Sequence, residues 1–570
     1  MHESGNSLVY SGYKIANNQP VILKILKQAY PPPTKIAWFR REYEITKNLN
    51  LTGVVDAYSL ENHQFRWVMA LEDFGGRSLD RSIEIKQFSL IEFLPLAIQI
   101  ANILGQVHQH NILHKDINPS NIVWHQTTGQ VKLIDFGIST VLTRENQTFR
   151  NPNLLEGTLA YMSPEQTGRM NRAIDYRTDF YSLGATFYEL LTGQLPFVTQ
   201  DELELVHCHL ARQPAPPHER KPDIPPTLSE IVLKLMSKNA EDRYQSAYGL
   251  KADLEECLRQ WQAKGQIDPF PLARNDVSDR FQIPQKLYGR EREIDTLLAA
   301  FDRVSQGTSE MMLVSGYSGI GKSALVQEVY KPITRKRGYF ISGKFDQFQR
   351  NIPYAAFIQA FRSLVLQLLM ESEEKIATWR EKILEALGAN GQVIIEVIPE
   401  VELIVGAQPA APELPPTEAK NRFNLVFQNF IKIFTRQEHP LVLFLDDLQW
   451  ADGASLKLID LLMTAADSKY LFLIGAYRDN EVNAAHPLML ALDEIDKAKV
   501  TVNQISLSPL ALPHITQLIQ DIFRRQPATA KSLAKLVLAK TSGNPFFIGE
   551  FLNFLYAEAS VSFNYQRGYW

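Results

Sequence analysis

The chain has 570 residues, 45% of them hydrophobic and 21% charged. At about 150 residues per domain this globular mixture predicts three to four domains and excludes a single small module. The net charge of −4 is too balanced to predict nucleic-acid or membrane-surface binding from bulk charge. Two cysteines, Cys208 and Cys257, exclude a disulfide framework and a cysteine-built zinc site, and favour a reducing, cytoplasmic setting.

The opening MHESGNSLVYSGYKI lacks a basic stretch followed by an apolar one. Pure apolar runs such as Leu441 to Leu445 fall far short of the ~18 residues of a membrane span, so none is expected. Residues 8 to 28 read as two β-rich runs around an Asn-Asn turn, and residues 35 to 50 as a helix after a triple-proline break. From Leu90 to His108 apolar residues recur at helical spacing, and the chain stays mostly helical to Gln262. A small β-rich lobe therefore precedes a larger helical one.

Residues 263 to 285 lose the helical period and contain three prolines, which predicts a linker. Beyond it, apolar runs at Met311 to Val314, Leu441 to Leu445 and Tyr470 to Ala476 alternate with long helical segments. That alternation predicts a parallel sheet covered by helices. The Pro-rich segment 411 to 419 is expected as a surface loop. The triplet His108, His110, His114 and the run His207-Cys208-His209 have a metal-like look, but the second lacks any partner at ligand spacing and the first falls in the segment leading into the HKDINPSN motif, so packing roles are expected.

Four motifs occur in order in the first half: VILK ending at Lys24, HKDINPSN from His114 to Asn121, DFG from Asp135 to Gly137, and SPE from Ser163 to Glu165. Together, over residues 3 to 258, they resemble a Hanks-type protein kinase. Phosphoryl transfer spreads charge over phosphate oxygens and needs fixed cations, metal-holding oxygens and a group that orients the attacking hydroxyl. The resemblance implies that Lys24 holds the α- and β-phosphates of ATP and pairs with Glu42. It makes Asp116 the catalytic base, and Asn121 and Asp135 the residues that hold Mg²⁺. GTLAYMSPEQ, residues 157 to 166, resembles the Ser/Thr-type substrate loop, in which Thr158 contacts Asp116, so protein substrates with Ser/Thr acceptors are implied. Asp179 matches the residue that braces the catalytic loop, and Arg243 the partner of Glu165.

The sequence departs from that pattern at named positions. His2, Ser4 and Ser7 stand where the Gly-rich loop has glycines, with Gly5 out of register, so weak ATP binding is expected. The strand preceding this loop is expected to be missing, because the chain begins only two residues before it. Asn118 replaces a lysine, which removes a positive charge near the γ-phosphate; restoring lysine is expected to raise kcat. Lys115 replaces the arginine that reads a phosphorylated activation loop, and lysine lacks the bidentate fork.

In the second half, GYSGIGKS, Gly316 to Ser323, is a complete GxxxxGK[ST] match between the run MMLVS and the helical ALVQEVY. The loop glycines Gly316, Gly319 and Gly321 let backbone amides cradle phosphate oxygens. Lys322 adds a point charge and the Ser323 hydroxyl ligates Mg²⁺. LVLFLDDLQWAD, residues 441 to 452, is an apolar run whose tip carries two acids: Asp446 resembles the Walker B metal-side acid and Asp447 the acid that polarises the attacking water. With YGRERE from Tyr288, LFLIGAYRDNE carrying Arg478 at a nucleotide-sensor position, and SGNPFF from Ser542, residues 286 to 557 resemble the STAND class of AAA-like P-loop ATPases.

The expected architecture is an α+β two-lobed protein-kinase fold followed by an α/β P-loop NTPase domain with a helical C-terminal extension. Its expected segments are a kinase domain at 1–262, a linker at 263–285, an ATPase domain at 286–480 and a truncated extension at 481–570. Kinase-then-ATPase order resembles the N-terminal part of large bacterial, cyanobacterial-type sensor proteins that continue into sensor and histidine-kinase modules. The leading expectation is a Ser/Thr kinase coupled to an ATP-hydrolysing switch, with ATP and Mg²⁺ as cofactors. Two alternatives stand beside it: a pseudokinase scaffold in which only the P-loop unit hydrolyses ATP, and an ATP-driven assembly platform that forms an ATP-dependent oligomer.

Overall fold

The computed structural model describes the chain apart from residues 1, 4–6, 29, 64–65, 86, 142–157, 168–173, 200–201, 275, 277–280, 282, 285, 330–331, 334–335, 337, 349–351, 370–372, 466, 524–526, 559 and 562–570. Three expectations fall there: most of the Gly-poor loop, Gly157, and the terminal FNYQRGYW. The chain divides into two compact units, Met1–Ser278 and Asp279–Trp570.

In the first unit β1 (His2–Glu3), β2 (Ser7–Lys14), β3 (Gln19–Leu26), β4 (Ala57–His63) and β5 (Arg66–Glu72) form an antiparallel sheet of order β1-β2-β3-β5-β4. The Asn-Asn turn joins β2 to β3, where the αL conformation of Asn18 (φ 54°) suits asparagine. The two-residue β1 pairs with β2, His2 opposite Val9 and Glu3 opposite Leu8, so it lies at the start of the stretch read as the Gly-poor loop. Helix α1 (Pro33–Leu49) starts on proline, whose absent N–H costs nothing at a helix start. Phe39 of α1 packs with Leu26 and Met69 of the sheet.

The second lobe is helical around α2 (Leu90–Gln109), whose Phe93, Leu94, Ala97, Ile100, Ala101, Leu104 and Val107 are fully buried. By length and composition α2 could cross a membrane; here its apolar face fills the lobe's core against α3 (Arg177–Thr192) and α4 (Ala247–Lys264). Short strands β6 (Arg77–Ser78), β8 (Ile122–Trp124) and β9 (Val131–Leu133) form one small sheet, and β7 (Ile112–Leu113) with β10 (Thr140–Val141) another. These carry the loops at His114–Asn121 and Asp135–Gly137 to one edge of the lobe.

The expected linker is corrected in its first half. Lys264 ends α4, and the described residues from Gln266 to Arg274, with Asp276, fold back onto the unit. The Asp268 amide donates to Gln260 Oε1 (2.8 Å), the Ala273 amide to Asp253 Oδ2 (2.7 Å), and the Gln245 amide to Asp276 Oδ2 (2.7 Å). The side chains of Gln260 and Asp253 thus satisfy backbone amides of the stretch and its Asp276 accepts from Gln245 in return, so it is held without a helical period and its sequence reads as loop.

The second unit is a five-stranded parallel sheet of β11 (Glu310–Ser315), β12 (Tyr339–Lys344), β13 (Leu441–Asp446), β14 (Leu471–Tyr477) and β15 (Val502–Ser506), in the order β12-β13-β14-β11-β15. Alternate residues feed two cores. Met311, Leu313, Leu441, Leu443 and Leu471 face one, while Met312, Val314, Val442, Phe444 and Phe472 face the other. Both faces are covered, so the central strands carry unbroken apolar runs, MMLV in β11 and LVLFL in β13. Helix α5 (Glu291–Ser305) lies on the second face with Leu297 and Phe301, and α6 (Lys322–Val326) follows β11. On the first face α7 (Ala355–Leu368) and α8 (Pro416–Ile433) pack Phe357, Phe361 and Phe427.

Two boundaries move. The segment 411–419 is loop only to Pro415, because Pro416 opens α8 as its first residue. The expected extension from 481 is not wholly helical: its VNQIS segment is β15, which pairs in parallel with β11 from Met311↔Val502 to Ser315↔Ser506. Helices Leu512–Phe523 and Pro527–Thr541, with α9 (Pro545–Ala557), then form a separate cluster around Ile515, Ile519, Ala534 and Ile548.

Candidate functional site

In the first unit, β3 points Lys24 at α1. Its Nζ lies 2.6 Å from Glu42 Oε1 and 3.0 Å from Asp135 Oδ1. Burial opposes the Lys24 charge, but Asp135 and Glu42 together raise its pKa. One cation cannot satisfy two carboxylates equally. Burial, aided by the Asp135 charge, pushes Glu42 up to about 7 against the pull of Lys24. Against burial, Lys24 holds the Asp135 carboxyl below its ordinary range. Asp135 adopts φ 62°, a conformation that asparagine and aspartate tolerate better than most residues.

The loop after β7 is set from below by Asp179 at the start of α3. Its carboxylate accepts from the backbone N–H of His114 (3.0 Å) and Lys115 (2.7 Å), and pairs with His108 Nε2 at 2.8 Å. On this base stands Asp116. Its Oδ1 accepts from the Thr158 amide (2.9 Å) and its Oδ2 from Asn121 Nδ2 (2.9 Å). Thr158 therefore meets Asp116 as expected, through its backbone; its hydroxyl accepts from Asn118 Nδ2 (3.3 Å). Glu165 and Arg243 form a two-pronged pair, Nη1–Oε1 2.6 Å and Nη2–Oε2 2.8 Å. Burial alone would raise the Glu165 carboxyl, yet Arg243 brings it down to about 2.

Three of the histidines expected to pack do so through specific contacts, His108 with Asp179, His114 Nε2 with the Ile134 carbonyl and His209 Nδ1 with the Tyr181 hydroxyl, whereas His110 is exposed beside the Gln106 carbonyl. Among the described residues there is no cluster of three or more His, Cys, Asp or Glu that could hold a metal ion by itself.

In the second unit the loop Gly316–Gly321 turns at the C-terminal end of β11. Gly316 (φ 146°) has the Leu507 carbonyl oxygen 2.9 Å from where a Cβ would sit, and Gly319 (φ 75°) has the Cβ of Phe546 at 2.7 Å. Both positions therefore require glycine. Lys322 Nζ, 8% exposed as a residue, donates to the carbonyls of Gly316 (2.8 Å) and Tyr317 (3.1 Å), and burial lowers its pKa. Ser323 Oγ donates to Asp446 Oδ2 at 3.0 Å. Burial, then the Asp447 charge, raises the Asp446 carboxyl.

Asp447 has αL backbone (φ 54°) and turns away from Asp446. Its carboxylate is bracketed by Gln449 Nε2 (2.9 Å), Lys344 Nζ (3.2 Å) and Arg478 Nε (3.4 Å). Arg478, expected at the nucleotide, is held by Asp447, by Glu481 (2.9 Å) and by the face of Trp450 (4.8 Å). A cavity of about 580 Å³ opens beside Lys344, Asp447, Trp450 and Arg478. Sequence reasoning missed Lys344 and Gln449, and also Asn544, whose Nδ2 donates to the Ser318 carbonyl at 2.9 Å while the Phe546 amide donates to that of Gly319 at 3.2 Å. The SGNPFF turn thus rests on the P-loop.

Comparison with known families supplies the name for each half. The family model described as protein kinase domain matches residues 3–254, and that described as AAA ATPase domain matches residues 286–474. The chain joins a protein kinase domain to an AAA ATPase domain. The kinase domain is similar to the serine/threonine-protein kinase PknB of Mycolicibacterium smegmatis, at 32% identity over 44% of this chain and 40% of the relative. Both domains align with hybrid signal transduction histidine kinase G of Dictyostelium discoideum, at 32% identity over 84% of this chain and 18% of the relative. Histidine protein kinase 1 of Candida albicans aligns at 24% identity over 65% of this chain and 17% of its own length. The chain therefore spans less than a fifth of these two histidine kinases. The ATPase-domain match ends before β15 and the SGNPFF turn, so both lie outside the matched segment.

Proposed function

We propose that the chain transfers phosphate from ATP to serine or threonine side chains of protein substrates in signal transduction, and that its ATPase domain is a nucleotide switch coupled to that transfer. The observation that carries the reading is the assembled kinase site: Lys24 bridges Glu42 and Asp135, and Asp116 is held by Thr158 and Asn121. In this reading Lys24 holds the α- and β-phosphates, and Asp116 orients the acceptor hydroxyl and takes its proton. Asn121 and Asp135 would hold Mg²⁺. Both offer oxygen donors of the type that cation takes, and Asn121 spends its Nδ2 on Asp116, which turns its amide oxygen the other way. When bound, Mg²⁺ supplies neutralising charge to the phosphates. Ser/Thr rather than Tyr acceptors follow from the GTLAYMSPEQ loop and from relatives named as serine/threonine kinases.

In the ATPase domain, Lys322 and the loop amides bind phosphate, Ser323 and Asp446 hold Mg²⁺, and Asp447 polarises the attacking water. We read this domain as a STAND-type switch; contact of the SGNPFF turn with the P-loop supports that reading, since it links nucleotide to the C-terminal helices. Relatives named as histidine kinases support a place in a larger signalling chain with sensor and histidine-kinase modules. The test is phosphoamino-acid analysis after incubating the chain with γ-labelled ATP and a mixed peptide library. Label in phosphoserine and phosphothreonine is expected; label in phosphotyrosine alone contradicts the acceptor class.

A further inference from the structure

Asn118 stands where the kinase resemblance expects lysine, and its side chain is fully engaged. The residue is 3% exposed. Its Nδ2 donates to the Asp116 carbonyl (3.2 Å) and the Thr158 hydroxyl (3.3 Å). Its Oδ1 accepts from the backbone N–H of Ser120 (2.9 Å) and Asn121 (3.2 Å), capping the turn Pro119–Asn121. Asn121, at the end of that turn, sends its own Nδ2 to the carbonyl and Oδ2 of Asp116, while the Thr158 amide holds Oδ1. Asp116, Asn118, Asn121 and Thr158 thus close a ring in which Asn118 touches the other three.

An asparagine amide has two N–H groups, and both are spent here. None remains for a phosphate. Lysine in this place has donors and no acceptor, so the Ser120 and Asn121 amides would lose the partner they have here.

We infer that Asn118 is a positioning residue: it fixes the acceptor side of Asp116, through Thr158, relative to the metal side, through Asn121. The inference rests on the kinase reading of Asp116, and it reverses the expectation from charge alone. Restoring lysine should lower kcat.

The test uses the full chain carrying Lys322→Ala, which leaves the kinase domain as the nucleotide site. Two quantities are read: transfer of labelled phosphate to a Ser/Thr peptide, and Mn²⁺ affinity of the complex with a non-hydrolysable ATP analogue. Asn118→Ala and Thr158→Val are each expected to lower kcat about tenfold or more with KM for ATP nearly unchanged. The double variant should be no worse than the poorer single one, because one linkage is broken in each case. Asn118→Lys should fall below the unmodified kcat. Mn²⁺ affinity should drop about fivefold in Asn118→Ala and stay unchanged in Thr158→Val. Asn118→Asp keeps the capping oxygen, so it should retain Mn²⁺ affinity while transferring slowly; a melting curve for each variant identifies one that fails to fold.

Asn118→Lys at or above the unmodified kcat, or additive losses in the double variant, overturns the inference. Absence of transfer from the unmodified chain sinks the kinase reading instead. Asn118 is then decided by Mn²⁺ alone, and equal affinity in Asn118→Ala and the unmodified site overturns it.

Discussion

The Ser323 hydroxyl donates to Asp446 Oδ2 at 3.0 Å and so ties the P-loop helix to the tip of β13 across 123 residues of chain. Asp447, the next residue, turns the other way toward Lys344 and Arg478. Asp446→Asn should therefore weaken Mg-ATP binding by the ATPase domain, whereas Asp447→Asn should bind it normally and slow hydrolysis by about 10²-fold. Titration with a fluorescent ATP analogue and steady-state phosphate release, measured on both variants, check the division. Equal loss of affinity in the two variants contradicts it.

Each domain carries its own phosphate and metal groups, so the chain should bind two nucleotides. Lys322→Ala removes the side chain that the P-loop holds against its own carbonyls. Stoichiometry by equilibrium dialysis should fall from two to one, with the remaining site at its original affinity. A stoichiometry that stays at two would count against the P-loop assignment.

These sites were legible because their chemistry is local: Lys24, Asp116, Asn121, Asp135 and the Gly316–Ser323 loop each sit in short motifs whose residue types the reaction demands. The sheets were legible where both faces are buried, as at β13, whose run LVLFL has no polar interruption. Strand β15 was not. Its VNQIS is mostly half-buried or exposed, and it pairs only because β11 offers its edge, with Ser315 and Ser506 bonded across 191 residues. Lys344 escaped for the same reason, since nothing adjacent in sequence marks it as a neighbour of Asp447; Gln449 and Asn544 lie inside the DDLQWAD and SGNPFF motifs, but their bonds to Asp447 and to the Ser318 carbonyl exist only in the folded chain. Asn118 was read as a charge lost, because its four hydrogen bonds exist only in the folded loop.

Stability of the kinase domain should depend on pH through a buried basic cluster. Lys238 donates to the Tyr181 hydroxyl (3.2 Å) and the Cys208 carbonyl (3.1 Å). Burial, then the Arg243 charge, lowers its pKa from 10.5 to about 7, and burial, then Lys238, lowers His209 from 6.5 to about 3. Between the two Lys238 values the unfolded chain binds a proton that the folded one does not, so stability rises with pH from 7 toward 10.5; His209 adds a rise from 3 to 6.5. The kinase-domain transition should gain on the order of 2 kcal/mol between pH 7 and 9. Lys238→Met should flatten that gain in denaturant titrations at the two pH values. An unchanged slope in Lys238→Met would assign the dependence elsewhere.

Glu165 and Arg243 are both almost completely inaccessible and fork-paired. Removing one partner leaves a charge without water or counter-ion. Arg243→Ala should cost about 3–5 kcal/mol, and Arg243→Lys should recover only part because lysine cannot form the fork. Urea titration of the kinase-domain transition measures both, and a loss below about 1 kcal/mol, as for an exposed pair, would contradict the burial argument.

The central claim is that Asp116, held between Thr158 and Asn121, serves phosphate transfer to protein hydroxyls. Its most direct test is transfer of label from γ-labelled ATP to a Ser/Thr peptide library by the full chain and by Asp116→Asn. The account predicts transfer by the unmodified chain, and a loss of at least about 10²-fold in Asp116→Asn with ATP-analogue binding and melting temperature retained. Equal labelling by the two proteins, or none by the unmodified chain at millimolar Mg-ATP, would contradict it.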